Sequence, residues 1–151
     1  MKYVYFAVTI VLFAITLVIA NTAKENPPPE QGKVRLVWGN SNKILDADFM
    51  RNLNTVKAKY NDFNVEGYVL KNLIESATNN FNDYNDLLVL ARDGYQSKIS
   101  KKDMDSKVLL ILAEFDKANY KPSTSKIGIA FTEDEYMHRW VKDIYEIRLL
   151  K

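Results

Sequence analysis

Cysteine is absent from this chain of 151 residues, and histidine occurs once, at His138. Without a thiol there is no disulfide framework, no redox dithiol, no cysteine nucleophile and no thiolate metal site. One histidine with Glu135 nearby does not make the set of nitrogen or sulfur ligands that a metal site of this kind needs. We therefore expect no metal site and no catalytic residue, and we interpret His138 as a surface or capping residue.

Glycine is also scarce, and the net charge is small. The five glycines are scattered, and neither a phosphate-cradling glycine loop nor a Gly-x-Ser-x-Gly nucleophile elbow occurs. The 21 basic and 19 acidic side chains nearly balance and are interspersed along the chain. Balanced charge leaves no electrostatic footprint for a nucleic acid. These features argue against serine hydrolysis and against nucleic-acid binding.

Residues 1–21 predict export from the cytoplasm. Lys2 is followed by eighteen uncharged, mostly apolar residues, 3–20, and then by a polar run. A basic start, an apolar run and small residues at its end are typical of a secretory signal peptide. Eighteen helical residues also rise roughly 27 Å, close to the thickness of a bilayer's hydrocarbon core, so an uncleaved membrane anchor stays open as the alternative. Both alternatives predict an extracytoplasmic protein, periplasmic or on the cell surface, that meets the membrane only through this segment.

Three consecutive prolines at positions 27–29 mark the next segment, residues 22–32, which ends at Gly32. Proline runs favour extended polyproline geometry without internal hydrogen bonds, so we expect a stiff linker. The remaining residues, 33–151, are numerous enough to bury a core without disulfides. The sequence therefore predicts a leader, a proline-rich linker and one domain.

Apolar periodicity predicts the strands of this domain. They are expected at residues 34–38, 55–60, 87–92, 95–99 and 107–115. The turn dipeptide Asp93-Gly94 is of the kind that closes a hairpin. Residues 107–115 are almost continuously apolar, which is typical of a strand buried on both faces. Residues 39–42 are predicted as a turn and residues 78–86 as a loop.

Two short helices and one helical turn are expected as well. Either Asp46 or Asp48 is placed to cap the first helix, whose apolar face carries Phe49, Met50 and Leu53. The second helix has its apolar residues on one side, namely Val69, Leu70, Leu73, Ile74 and Ala77. Ser100 and Asp103 have the spacing of a capping box at the start of a helical turn.

The larger aromatic residues are expected mainly in the core, namely Trp38, Phe49, Phe115, Phe131 and Trp140. The run 81–85 (FNDYN) sets aromatic residues among Asn and Asp, a mixture that suits an adaptable binding surface. For Tyr84 and Tyr95, which flank turns, a core position and a surface position both stay open.

Five segments in succession resemble the molybdopterin-binding domain of sulfite-oxidase-type oxidoreductases. They are residues 65–74 (VEGYVLKNLI), 87–95 (LLVLARDGY), 99–104 (ISKKDM), 108–113 (VLLILA) and 139–149 (RWVKDIYEIRL). That family has an aromatic-x-Gly-Val-x-Leu-x-x-Leu-Leu segment, a strand ending in Asp-Gly-Tyr, a Ser-x-x-Asp-Leu segment, a buried Leu-Ala strand and a final Trp-Val-Lys strand. The resemblance covers roughly residues 34–150. It implies an α+β domain, residues 33–151, with a mixed, strongly curved β-sheet and a few short helices. The resemblance also implies strands at residues 127–131 and 139–149.

The chain departs from this family at the positions that bind the metal and the pterin. The family's molybdenum-binding cysteine falls between the second strand and the Gly-Val-x-Leu helix, and the matching residues here, 57–64 (KAKYNDFN), contain none. Without the thiolate, ligation of molybdenum by the protein in that manner cannot occur. The family's histidine and arginine contacts to the pterin phosphate have no clear counterpart. An Arg-Asp-Lys-Gly-Pro-Leu-Trp loop of small relatives is replaced by residues 121–129 (KPSTSKIGI).

These departures favour a function without catalysis. We expect an exported binding or accessory module on a scaffold resembling the molybdopterin oxidoreductases, with no cofactor. One alternative is a molybdopterin-dependent oxidoreductase, or a subunit of one, with molybdopterin as its cofactor. A second alternative is a structural component of an envelope assembly.

The binding site is predicted in irregular segments, because function concentrates in loops. The segments are the turn at residues 92–95, a loop at residues 120–126 and the stretch at residues 138–140. The candidate residues for binding a ligand or partner are Arg92, Asp93, Tyr95, Lys126, His138 and Arg139. The expected partner is an envelope protein or a small ligand.

Overall fold

A computed structural model describes residues 27–60, 63–104, 108–116, 119–134 and 139–151, with the backbone alone at residues 63, 113–116 and 119–124. The elements are β1 (Val34–Trp38), β2 (Ser41–Leu45), α1 (Ala47–Met50), β3 (Val56–Tyr60), β4 (Phe63–Val69), α2 (Leu70–Ala77), β5 (Asp86–Ala91), β6 (Gln96–Ser100), β7 (Val108–Asp116), β8 (Asn119–Phe131) and β9 (Ile144–Leu150). Single 3₁₀ turns lie at Phe81–Asp83 and Lys101–Asp103.

The strands form two sheets. The first has the order β2-β1-β9-β5-β6, with β1 and β9 parallel and the other pairs antiparallel. The second is antiparallel, with the order β3-β4-β7-β8. A bridge between Ile129 on β8 and Val141 joins the second sheet to the segment that leads into β9. The molecule is mostly β-sheet with few short helices, so the mixed sheet is confirmed, although two sheets replace the single one expected.

Alternation of side chains builds the core of the first sheet. Leu36 on β1 and Val89 on β5 are both fully buried and are register partners of Ile147 on β9. Their neighbours along each strand point to the opposite face because successive side chains alternate across a sheet. That opposite face, the outer face, carries Arg35 and Glu146. The continuous buried run predicted for β7 is confirmed and consists of Val108, Leu109, Leu110 and Ile111.

Most of the predicted core aromatics are confirmed. Phe131 and Trp140 are buried, and Trp38 and Phe49 are half-buried against the core. The side chain of Phe115 lies outside the description. The hypothesis of an aromatic binding surface at residues 81–85 is wrong, because Phe81 and Tyr84 are 2% and 7% exposed. Their burial closes the core beneath the 3₁₀ turn.

Five further sequence predictions need correction. The predicted turn at residues 39–42 is shorter, because Ser41 already begins β2 and only Gly39 and Asn40 turn. Residues 63–69 form β4, so the second helix begins at Leu70 rather than within the Gly-Tyr-Val segment. The predicted loop at residues 120–126 lies within β8, whose register with β7 runs from Asn119 to Pro122, shifts, and resumes at Ile127.

The fourth correction concerns the last strand. Asp143 adopts a φ of +48°, in the left-handed region, which an extended strand does not allow. The strand β9 therefore begins at Ile144, and of the preceding residues Val141 makes only an isolated bridge. The capping box at Ser100 is also wrong, since the Ser100 side chain makes no cap hydrogen bond.

In the part of the chain that the structure describes, no helix is both long and apolar enough to span a bilayer. The predicted leader, residues 1–21, lies outside the described residues.

Candidate functional site

Arg92 follows β5 and is held from several sides. Its backbone N–H donates to the carbonyl of Asp143 at 3.0 Å, and its Nε lies 3.7 Å from Oδ1 of the same residue. The guanidinium carbon is 6.0 Å from the centre of the Tyr145 ring, and Nη2 donates to the carbonyl of Pro29. The Nε atom is buried and has no hydrogen-bond partner among the described residues. Arg92 thus retains one donor that its surroundings do not satisfy.

A buried carboxylate lies beside it on the outer face. Oε2 of Glu146 accepts from Nη1 of Arg35 at 3.0 Å, and Oε1 accepts from Nε of Arg148. The Glu146 side chain is only 4% exposed, against 11% for Arg35 and 35% for Arg148. Register pairing sets Glu146 between Arg35 on β1 and Leu90 on β5. A carboxylate buried this deeply requires charged partners, and two guanidinium groups supply them.

The proline run lies against this face. The carbonyl of Pro27 accepts from Nη2 of Arg35, and the carbonyl of Pro29 accepts from Nη2 of Arg92. We call Pro27–Pro29 the proline strap, and we call the surface formed by Arg35, Arg92, Tyr145, Glu146 and Arg148 the arginine face. The end of the predicted linker is therefore bound to the domain.

A tight turn connects the proline strap to β1. The N–H of Lys33 donates to the carbonyl of Glu30 at 3.2 Å, and Gly32 takes a φ of +79° that favours glycine. Nζ of Lys33 also lies 2.9 Å from Oε2 of Glu30. This ion pair lowers the pKa of Glu30, chiefly through the hydrogen bond from Lys33. The turn reverses the chain between the proline strap and β1, so the strap lies against the sheet that contains β1.

The hairpin tip next to Arg92 exposes an aromatic ring. Oδ1 of Asp93 accepts from the N–H of Tyr95 at 2.9 Å, and Gly94 has a φ of +88°. Asp93 therefore shapes its own turn, as Asp does in such loops. Tyr95 is 47% exposed, and it is the only large hydrophobic side chain that is exposed among those described. Of the predicted site residues, Arg92, Asp93 and Tyr95 thus form one group.

Arg139 belongs to a second cluster. Its Nε donates to Oδ2 of Asp134 at 2.7 Å, a second hydrogen bond joins Nη2 to Oδ1, and the guanidinium lies 4.3 Å from the Phe131 ring centre. The hydrogen bond to Asp134 raises the pKa of Arg139. A small pocket of about 80 Å³ opens beside this pair. The cluster anchors the segment before Trp140, whose Nε1 donates to the carbonyl of Phe131.

The other two predicted site residues do not join either group. Lys126 is half-buried and lies within β8, so it is a strand residue and not part of a loop. His138 lies outside the described residues. Sequence reasoning missed Arg35, Asp143 and Glu146, which complete the surroundings of Arg92 and of the proline strap. The signal available for them was a set of charged residues at outer positions of otherwise apolar strands.

The segment expected to correspond to the family's molybdenum ligand, residues 57–64, contains no cysteine that could hold that metal. Nζ of Lys57 on β3 lies 3.9 Å from Oε2 of Glu66 on β4, so the two side chains form a surface ion pair. The ring of Tyr60 packs on Trp140, with 4.8 Å between the ring centres. Among the described residues, no group of three or more histidine, aspartate or glutamate side chains is placed to hold a metal ion. The site with the richest polar chemistry in the described chain is instead the arginine face.

The sequence matches no protein-family model, and no curated protein matches it.

Proposed function

We propose that this chain is an exported, non-catalytic binding or accessory module on a scaffold resembling the molybdopterin-binding domain of sulfite oxidases. The order of elements supports the scaffold. The first four segments that resemble the family fall in turn on β4 with α2, on β5, on the Lys101–Asp103 turn and on β7, and the fifth covers β9 and the residues that lead into it.

The residues at the position of the metal ligand support a function without molybdenum. Residues 57–64 contain neither cysteine nor histidine, and Lys57 there carries a positive charge that repels a metal cation. The aromatic pair of Tyr60 and Trp140 fills the neighbouring space. Catalysis by this family depends on a thiolate that the chain does not have, so binding is the function that its residues support.

The observation that carries the binding function is the exposed ring of Tyr95 on the same hairpin turn as Arg92. Tyr95 is 47% exposed at the hairpin tip, and the Arg92 side chain beyond the end of β5 is 23% exposed. Tyrosine and arginine are the residue types that most often anchor protein interfaces, because each combines a large contact area with directional hydrogen bonds. The partner is expected to meet this tip.

Elemental and pterin analysis tests the non-catalytic assignment. The full-length protein is exported in a cell that makes molybdenum cofactor, purified, and analysed for molybdenum and for the fluorescent oxidation product of the pterin. A sulfite-oxidase-type protein with its cysteine intact, produced in the same cells, is the positive control. We expect a folded protein without either component. Stoichiometric molybdenum and pterin would overturn the proposal in favour of the oxidoreductase.

Export is tested separately by cell fractionation. We expect the chain outside the cytoplasmic membrane, either shortened after the leader or retained in the membrane after an alkaline wash. Full-length protein in the cytoplasmic fraction would contradict the extracytoplasmic location.

A further inference from the structure

The proline strap is recognised through its backbone. Arg35 and Arg92 each donate to a carbonyl oxygen, at Pro27 and at Pro29, two residues apart. In polyproline geometry each residue rises about 3.1 Å, so carbonyls two residues apart are separated by about 6 Å along the segment. These contacts involve no side-chain chemistry peculiar to this chain. Any extended segment with carbonyls at this spacing presents the same acceptors to the two arginines.

The arginine face also has the features of a surface for polyproline segments. The ring of Tyr145 lies next to the Arg92 guanidinium, and Tyr95 is exposed at the adjoining hairpin tip. Leu90 is 5% exposed although it lies outside the main core cluster, opposite Glu146 on the outer face. Aromatic and apolar contacts with directed donors to main-chain carbonyls are what binds proline-rich segments in proteins.

We propose that the arginine face is a binding groove for a proline-rich, extended segment of a partner protein, and that the proline strap occupies this groove in cis. The inference rests on the proposed binding function and names the class of partner. Proline suits the groove because its backbone is already extended before binding, so little conformational entropy is lost.

While the proline strap occupies the groove, a partner segment cannot bind there. The proline strap is tied to β1 by only residues 30–33, with the backbone hydrogen bond from Lys33 to Glu30 closing the turn. A short tether gives a bound segment an effective concentration of about millimolar. A partner therefore competes with the proline strap, and removing the cis segment strengthens binding of the partner.

The first experiment removes the cis occupant from the full chain. In the variant Pro27→Gly, Pro28→Gly and Pro29→Gly all carbonyls remain, but the extended conformation is no longer preset. The probe is a fluorescent peptide with the sequence of residues 24–33, and its anisotropy reports binding. We expect the triple variant to bind this peptide at least about tenfold more tightly than the unmodified chain. The same peptide with three glycines in place of the prolines should not bind.

Two arginine variants locate the site. Arg92→Lys in the triple-glycine chain keeps the charge opposite Asp143 but loses the planar fork, so it should weaken peptide binding about tenfold. Arg51→Lys is the matched control, since Arg51 is 74% exposed and pairs with Asp48 outside the arginine face. Equal peptide affinity in the unmodified and triple-glycine chains, or no binding by a folded triple-glycine chain, overturns the inference.

A second measurement uses the unmodified chain, so it tests the proposed groove even where the triple variant fails to fold. A glutamyl endopeptidase cleaves after glutamate, and we expect binding of the proline strap to slow its cleavage after Glu30, whose own side chain is 83% exposed. An excess of a proline peptide in which glutamine replaces glutamate should accelerate this cleavage several-fold, and Arg92→Lys should do the same. No acceleration in either case overturns the inference. Molybdenum and pterin analysis of the same preparation shows separately whether the proposed function itself has failed.

Discussion

Arg35 and Glu146 meet at 3.0 Å across the parallel pair of β1 and β9, where the two residues are register partners. The pair joins two strands whose residues are 111 positions apart in the sequence. Because Arg35 also donates to the carbonyl of Pro27, the same side chain connects the proline strap to the first sheet. The stability of the sheet and the position of the strap therefore depend on one charged cluster.

We expect Glu146→Ala to lower the free energy of unfolding by about 3–5 kcal/mol, because two guanidinium groups would lose the carboxylate between them in a buried setting. Arg148→Ala is the matched control. Its side chain is 35% exposed, and Glu146 keeps Arg35 as a partner, so the loss should be about 1 kcal/mol or less. Urea denaturation of both variants measures the difference. Equal losses would contradict the role assigned to Glu146.

The close packing of β4 on β7 leads to a second prediction. A Cβ atom at Gly67 would lie 2.6 Å from the carbonyl oxygen of Leu110 and 2.5 Å from a methyl carbon of Ile111. Gly67→Ala should therefore separate the two strands, lower the free energy of unfolding by about 1–3 kcal/mol, and speed amide exchange at Leu110. At Gly94 no atom lies within 4 Å of such a Cβ, so Gly94→Ala should leave exchange at Leu110 unchanged. Unchanged exchange in the Gly67 variant would exclude the steric explanation.

Strands with a buried face were predictable because their pattern is local. The strands expected at residues 55–60 and 95–99 are Val56–Tyr60 and Gln96–Ser100 in the structure. The strand β2 carries no such pattern, since Ser41 to Ile44 are exposed or half-buried and only Leu45 is buried. A polar edge strand of this kind is indistinguishable from a turn until its partner is known.

The choice between two aspartates as the N-cap of α1 also depended on local contacts. Asp46 and Asp48 were equally placed in the sequence, but Oδ1 of Asp46 accepts from the N–H of Phe49 at 2.9 Å, whereas Asp48 pairs with Arg51 at the surface. The arginine face is harder to predict for another reason. Charged residues on a strand indicate a solvated face by default, and only the topology brings Arg35 to Glu146 and the proline strap over both.

The turn at the base of the proline strap gives a prediction about pH. The hydrogen bond and positive charge of Lys33 hold the pKa of Glu30 below its ordinary value of 4.5. A lowered carboxyl pKa means that the contact exists above pH 4.5 and is lost as the pH falls through the lower value of the folded protein. NMR titration should show Glu30 below 4.5 in the unmodified chain and closer to 4.5 in Lys33→Gln. An identical Glu30 titration in the two proteins would mean that the ion pair does not form in solution.

Two aromatic residues near turns should differ sharply when truncated. Phe81 is 2% exposed and has the Lys101 ammonium 4.8 Å from its ring centre, whereas Tyr95 is 47% exposed. Phe81→Ala should lower the free energy of unfolding by about 3–5 kcal/mol, because it leaves a cavity in the core. Tyr95→Ala should change it by about 0.5 kcal/mol or less, as surface substitutions do, while weakening any partner that meets the hairpin tip. Thermal and urea unfolding of both variants measure this contrast. A large loss of stability in the Tyr95 variant would assign that ring to folding and remove it from the binding surface.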